Sequence, residues 1–265
     1  MMTDPLLLGF LAVFGLAVGS FVNVVIVRVP SDESILHPPS KCPLCQHPIA
    51  HRDNIPVISW LLLRGKCRHC ANPIPAGYPL VELANAVLWV AAGLRFGLSW
   101  ELIPFALLFS ALLALTVIDL ELYLLPNKIT YPLFLASVPT AVALSFGVRD
   151  DTRWALEGAG IGVLAFAGGL LVTMIVGELV MRKEALGMGD VKLAATLGLW
   201  LGWLHPVLVL YALIGSSLLG VVAGAVVLII RRESQPYPFG PWLALGTVAV
   251  ILASEPILRF AGFRV

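Results

Sequence analysis

Two aspartates lie at the ends of apolar runs, where paired carboxylates can carry out acid–base chemistry. Asp119 ends one run in LTVIDLELYLLPNK, and Asp190 begins another in ALGMGDVKL. Acidic residues beside membrane segments are costly and mark function by default. Two carboxylates at the same depth would share a proton, as in an aspartic peptidase, where one activates water and the other protonates the carbonyl oxygen. Taken singly, each aspartate is explained more simply as a solvated helix end.

The residues around Asp190 add a second expectation. Gly187 and Gly189 lack a Cβ, so a substrate strand could approach their backbone closely, although the same glycines also suit an ordinary turn. Lys192 could hold an acidic group of a substrate, against the simpler interpretation of a lysine that snorkels to the membrane surface. We therefore take these three residues as candidate substrate-cleft residues.

All four cysteines of the chain lie in one polar loop, as CPLC at 42–45 and CRHC at 67–70. Two C-x-x-C pairs at this spacing are typical of a tetrahedral zinc site. Two disulfides or a redox pair are the alternatives, but a cytoplasmic loop disfavours the first and the lack of a βαβ pattern disfavours the second. A closed four-sulfur site leaves no position for substrate, so the predicted zinc is structural. Its ligands would be Cys42, Cys45, Cys67 and Cys70.

Two further features lie in or beside this loop. The stretch DNIPVISWLLLRGKC at 53–67 is apolar, and it could pack on the membrane face or form the wall of a ligand pocket. Glu82, in PLVELANA, would lie at the cytoplasmic end of the second span. It is a candidate for binding an amine or a methyl donor, against a carboxylate that only faces the dipole of its helix.

The composition indicates which elements position these residues. The chain has 265 residues, of which 59% are hydrophobic and 12% charged, whereas soluble domains carry about 25% charged residues. A polytopic membrane protein is therefore predicted. Gly15-x-x-x-Gly19 and Gly158-x-x-x-Gly162 could let helices approach closely. Because a span needs about 20 apolar residues, we predict eight, or seven if the short sixth run is not one: 5–29, 80–97, 102–118, 129–147, 155–180, 192–204, 206–230 and 240–261.

The basic residues predict the orientation, because cytoplasmic ends carry more arginine and lysine. One set of ends holds twelve of them: Arg28, Lys41, Arg52, Arg64, Lys66, Arg68, Lys128, Arg182, Lys183, Lys192, Arg231 and Arg232. The other set holds five: Arg95, Arg149, Arg153, Arg259 and Arg264. The loop 30–79 is therefore predicted to be cytoplasmic and both termini external. The expected domains are a first transmembrane helix 1–29, the loop domain 30–79 and a transmembrane core 80–265. No pattern suggests a nucleic-acid partner.

Five segments together resemble the bacterial type IV prepilin peptidases, which are leader peptidases and N-methyltransferases. They are GSFVNVVIVRVP at 19–30, the cysteine loop at 42–86, DLELYLLPNKIT at 119–130, GMGDVKL at 187–193 and PFGPWLALG at 238–246. The resemblance covers nearly the whole chain, in order. One departure is Asn127, where the family often has aspartate, and this is not a catalytic position.

The resemblance implies that Asp119 and Asp190 are the catalytic dyad and that the four cysteines bind zinc. It implies an all-α fold in the bacterial inner membrane, with a zinc-stapled cytoplasmic loop. The expected activity is cleavage of prepilin or pseudopilin leaders after a glycine at the cytoplasmic face, with methylation of the new N-terminus from S-adenosylmethionine. Two alternatives stay open: a peptidase without methyl transfer, and a membrane transporter or metal-handling protein that uses the edge carboxylates and the cysteine loop.

Overall fold

The computed structural model describes residues 4–181, 187–231 and 238–263, and this part of the chain contains α-helices but no β-strand. Four basic residues used for the orientation, Arg182, Lys183, Arg232 and Arg264, lie outside the described residues. The helices, in chain order, are α1 (Pro5–Arg28), α2 (Ile58–Leu62), α3 (Gly77–Phe96), α4 (Leu102–Leu122), α5 (Asn127–Val148), α6 (Thr152–Met181), α7 (Met188–Leu204), α8 (Val207–Arg231), α9 (Gly240–Leu252) and α10 (Ser254–Phe260).

The predicted all-α membrane fold is confirmed. Among the described residues, six helices are long and apolar enough to cross a membrane, namely α1, α3, α4, α5, α6 and α8. The pair α9–α10 makes a seventh candidate, although a bend of 73° interrupts the continuous span predicted over 240–261. The count is therefore six to seven, where the sequence suggested eight or seven.

The difference lies in α7, the short run predicted at 192–204. Its 17 residues correspond to about 26 Å of helix, which is less than a hydrocarbon core of about 30 Å. Most of its side chains are buried within the protein. Two of them donate hydrogen bonds to serines of α5, Trp200 to Ser137 at 3.0 Å and Trp203 to Ser145 at 2.8 Å. A helix enclosed by others need not match the thickness of the bilayer.

The described chain divides into two compact units, Met1–Ala114 and Leu115–Val265. In the first unit, α1 packs on α3 through Gly15 and Gly19, as their spacing suggested. A Cβ on Gly15 would lie 2.8 Å from Cα of Ala86, and one on Gly19 would lie 2.7 Å from Cα of Glu82. The close approach also lets Asn85 donate a 2.7 Å hydrogen bond to the carbonyl of Gly15.

In the second unit, α6 and α7 pack through glycines on both helices. A Cβ on Gly162 would overlap the carbonyl oxygen of Gly198, and one on Gly158 would lie 2.5 Å from that of Gly202. The sequence suggested the α6 pair as a contact but not its partner pair on α7. These glycine contacts hold α7, whose first turn carries Asp190, against α6.

We expect Gly162→Ala to destabilise the protein by about 1–3 kcal/mol, because the added methyl group overpacks the α6–α7 seam. Gly168→Ala is the matched control on the same helix, since a Cβ there meets nothing within 4 Å. Thermal unfolding of the detergent-purified variants measures the difference. Equal melting temperatures would show that the seam tolerates a side chain.

Candidate active site and cysteine cluster

Asp119 lies three residues before the end of α4 and is only 5% exposed. The chain leaves the helix through Tyr123, whose φ of 56° is rare for a residue other than glycine. The N–H of Tyr123 still bonds the carbonyl of Asp119 at 2.9 Å, which closes the last turn. The helix end therefore holds the Asp119 backbone in place while its side chain points into the protein.

The carboxylate of Asp119 meets the beginning of α9. It accepts a hydrogen bond from the backbone N–H of Gly240, the first residue of that helix. A Cβ on Gly240 would lie 2.5 Å from Oδ2 of Asp119, so only glycine leaves room for the carboxylate. Free N–H groups at a helix start favour an anion. Sequence reasoning missed Gly240, although glycine and proline at the start of an apolar run were visible in PFGPW.

Asp190 is the third residue of α7 and is 8% exposed. Its carboxylate accepts a hydrogen bond from the backbone N–H of Gly187, which is the N-cap of the same helix. An acid at this position that reaches back to the N-cap is half of a capping box. Its Oδ1 is buried and has no hydrogen-bond partner within the part of the chain that the structure describes.

The structure brings Asp119 and Asp190 together in the C-terminal unit, where the two carboxylates interact electrostatically. Leu125 contacts the glycines beside both of them: its side chain lies 3.0 Å from a Cβ placed on Gly189 and 3.4 Å from one placed on Gly240. Two buried carboxylates that repel each other disfavour ionisation of both at once, and such a pair suits the acid–base chemistry of an aspartic peptidase.

The candidate cleft residues lie in and beside the first turns of α7, close to Asp190 in the chain. A Cβ placed on Gly189 would lie 3.0 Å from Cβ of Leu125. One placed on Gly187 would lie 3.4 Å from Oδ2 of Asp190. The amine of Lys192 donates a 3.0 Å hydrogen bond to Oδ1 of Asn127 and lies 5.0 Å from the centre of the Tyr131 ring. Lys192 therefore joins the first turns of α7 and α5.

The four cysteines form one cluster, with all Sγ atoms within 4.8 Å of one another. Cys42 Sγ lies 3.8 Å from Cys70 Sγ. In a tetrahedron with metal–sulfur bonds of about 2.3 Å, the sulfurs are separated by about 3.8 Å. The cysteines are free thiols in the structure, not disulfides. The cluster can therefore hold a metal ion, as the two C-x-x-C pairs predicted.

The two C-x-x-C turns share one backbone pattern. The N–H groups of Cys42 and Cys67 bond the carbonyls of His47 and Asn72, at 3.0 and 2.8 Å. Each turn closes through a residue at positive φ, Gln46 at 58° and Ala71 at 57°. In the second turn, the backbone N–H of Asn72 is the main cause that lowers the pKa of the Cys70 thiol to about 6, whereas burial and the neighbouring sulfurs raise the pKa of Cys45 to about 11. N–H groups that face sulfur favour the thiolate, which is the form that binds metals.

An ion pair joins the second cysteine turn to the segment between the turns. Arg68 donates to both carboxylate oxygens of Asp53, with the shortest bond at 2.6 Å. The bidentate bond from Arg68 lowers the pKa of Asp53. The pair therefore stays charged at neutral pH and adds a second link across the loop.

Glu82 lies on α3, in the N-terminal unit. Its side chain is buried, and Oε2 accepts a 2.7 Å hydrogen bond from the backbone N–H of Val57. Glu82 is the sixth residue of α3, beyond the free N–H groups of the first turn. The hydrogen bond from Val57 is therefore a contact other than the one with the helix dipole that the sequence suggested.

A helical membrane protein with two buried carboxylates held at helix ends has the construction of an intramembrane aspartic peptidase. The comparisons name the family. The model described as "Type IV leader peptidase family" matches residues 106–229, and that described as "Bacterial Peptidase A24 N-terminal domain" matches residues 13–96. The chain belongs to this family of bacterial leader peptidases, as the resemblance implied.

Three relatives named "Prepilin leader peptidase/N-methyltransferase" are similar over most of the chain. The protein of Aeromonas hydrophila is 38% identical over 93% of this chain and 91% of its own length, and that of Stutzerimonas stutzeri is 39% identical over 95% and 92%. The protein of Myxococcus xanthus is 44% identical over 88% of this chain, which spans 66% of that relative. No solved structure matches. The comparisons favour a peptidase over the transporter alternative.

We expect Gly240→Ala to lower kcat/KM for leader cleavage by about 100-fold, because the new methyl group displaces the Asp119 carboxylate and small misplacements of reacting groups are this costly. The loss should fall on kcat and leave KM unchanged, since the contact of Gly240 in the structure is with the Asp119 carboxylate. Gly215→Ala is the control, because a Cβ there meets nothing within 4 Å. A purely structural defect would instead lower the amount of folded enzyme without this split.

Proposed function

We propose that the chain cleaves the leader peptides of type IV prepilins or pseudopilins, with Asp119 and Asp190 as the catalytic pair. The observation that supports this most directly is that two buried aspartates, from different helices, each accept a backbone N–H and interact with each other. A carboxylate buried only for structure would be satisfied without a second acid beside it.

The proposed reaction uses one proton shared by the pair. The ionised carboxylate takes a proton from water as the water oxygen attacks the scissile carbonyl carbon, and the protonated one gives its proton to the carbonyl oxygen. As the C–N bond of the tetrahedral diol breaks, the carboxylate that took the water proton gives it to the leaving amine, and the other carboxylate takes a proton from one hydroxyl of the diol, which restores the single shared proton. Gly240 and Gly187 hold the two carboxylates in register during these steps.

The substrate is proposed to lie with its cut site, after a glycine, at the cytoplasmic face of the inner membrane. Gly187, Gly189 and Lys192 are the proposed contacts of the cleft, because all three lie in or beside the first turns of α7 with Asp190. The proposed domain organisation keeps helix 1–29, the loop 30–79 and the peptidase core 80–265.

Asp119→Asn and Asp190→Asn test the dyad. Each change keeps the shape of the side chain but removes the proton transfer, so we expect cleavage of a prepilin in membranes to fall by about 10²–10⁴-fold or more. Methylation of a pilin that is already cleaved serves as the control for folding. Full cleavage by either variant would remove that aspartate from the dyad.

The second proposed activity is N-methylation of the new N-terminal residue, with S-adenosylmethionine as the methyl donor. The names of the relatives support it. Glu82 is the candidate for a charged contact to the donor or to the amine, because it is a buried carboxylate in the N-terminal unit. Mass spectrometry of pilin processed by the wild type tests the methylation, and the same measurement with Glu82→Gln tests the role of Glu82. An unmethylated product from the wild type would remove this activity.

We propose that zinc is the metal of the cysteine cluster and that its role is structural. The sulfur spacing and the N–H groups that face the sulfurs support a tetrahedral thiolate site, which has no open position. Cys42, Cys45, Cys67 and Cys70 would hold the ion, and the ion would close the loop.

We expect purified protein to contain one zinc per chain by elemental analysis, and Cys67→Ser to contain much less. Because metal binding is folding energy for small loops, removal of zinc with a chelator should expose the loop 30–79 to protease. The membrane helices should stay protected and serve as the internal control. A loop whose cleavage is the same with and without metal would contradict the structural role.

A further inference from the structure

The short helix α2 carries an apolar surface that nothing in the described structure covers. Ile58, Leu61 and Leu62 are 52%, 61% and 77% exposed, and Ile55 just before the helix is also exposed. Residues three and four apart share one side of a helix. We call these four side chains the α2 face. The other side of α2 packs inward, where Ser59 is buried and Trp60 donates a 3.0 Å hydrogen bond to the carbonyl of Ile74.

A buried hydrogen bond determines where this face lies relative to the membrane. The N–H of Val57, which immediately precedes α2, donates to Oε2 of Glu82 at 2.7 Å. Val57 has a φ of 60°, a costly conformation for a β-branched residue that persists only where its surroundings impose it. The beginning of α2 is therefore tied to α3 and does not lie free in the cytoplasmic loop.

The position of Glu82 on α3 gives the depth. The 20 residues of α3 span about 30 Å, the thickness of a hydrocarbon core. Glu82 is five residues past Gly77, which places it about 7 Å inside the end of the helix. Leu80, Leu83 and Val87 are exposed on one side of this candidate membrane helix, whereas Glu82 is buried. The hydrogen bond from Val57 to Glu82 therefore holds the α2 face near this depth, about 7 Å from the end of α3.

Two basic residues lie beside α2, as is typical of helices at a membrane surface. Arg64 and Lys66 are exposed directly after α2. Helices that lie in the membrane surface combine an apolar face in the headgroup–acyl boundary with lysine and arginine in the headgroups. The two basic side chains beside the α2 face suit the phosphates of lipid headgroups, which favours a lipid surface over a protein partner.

We propose that the α2 face is a membrane-interface anchor, inserted in the lipid–water boundary and held there by the Glu82–Val57 hydrogen bond. It would keep the cysteine loop against the membrane surface. This role concerns the N-terminal unit alone and does not depend on the aspartate pair. Of the two sequence interpretations of segment 53–67, it develops the membrane-facing one.

The test places the photoreactive residue p-benzoylphenylalanine at position 62 of the full-length protein. The protein is reconstituted in vesicles of phosphatidylcholine and phosphatidylglycerol with a prepilin peptide present, irradiated and digested for mass spectrometry. We expect phospholipid adducts on the peptide that contains position 62. Adducts mainly to the prepilin peptide would overturn the proposal in favour of a substrate-docking surface, and the absence of lipid adducts would overturn it outright.

Two variants of Glu82 test the tie. Glu82→Gln keeps an acceptor oxygen for Val57, whereas Glu82→Met keeps the length but removes it. We expect lipid adducts at position 62 to persist in the first and to fall about tenfold or more in the second, as loss of a hydrogen bond to a charged group permits. Undiminished adducts in Glu82→Met would overturn the tie. Zinc content of both variants checks folding, and Glu82→Gln remains informative if Glu82→Met fails to fold.

Discussion

Two carboxylates buried beside each other in a membrane protein need compensation from the backbone, and the described C-terminal unit is built around that need. The first residue of α9 gives its N–H to Asp119, and the N-cap of α7 gives its N–H to Asp190. Helix starts are the one place where the backbone has spare N–H groups to offer. The site therefore requires helices that begin at it, and this explains why α7 and α9 start where they do.

The same requirement accounts for the unusual proportions of these helices. Because α7 begins at a buried carboxylate, its start is enclosed by protein, and its tryptophans bond to serines of α5. Glycines at 158, 162, 198 and 202 let α6 lie directly against it. Gly240 serves a different purpose, because its missing side chain leaves the space that the Asp119 carboxylate fills.

In the N-terminal unit, a few local polar contacts and the cysteine cluster constrain the loop. Its loop buries few apolar side chains of its own, so it depends on local constraints: the sulfur cluster, the Arg68–Asp53 pair and the bond from Val57 to Glu82. The two cysteine turns repeat one hydrogen-bond pattern, and their sequences share the pattern K-C-x-x-C-x-x-P-I at 41–49 and 66–74. In both turns the lysine before the first cysteine pairs with the proline, so the repeated sequence accompanies a repeated backbone.

The sequence by itself determined the membrane class, the helical fold, the cysteine cluster, the family and the two aspartates to consider. All of these except the family follow from composition, apolar length and spacing, which are local properties of the chain, and the family follows from the resemblance of five segments to known sequences. Only the tertiary structure decided that Gly240 meets Asp119, that Leu125 lies beside both Gly189 and Gly240, that α7 is enclosed, and that Glu82 bonds Val57. Each of these joins residues far apart in the chain, and their proximity depends on how helices pack, which no local pattern encodes.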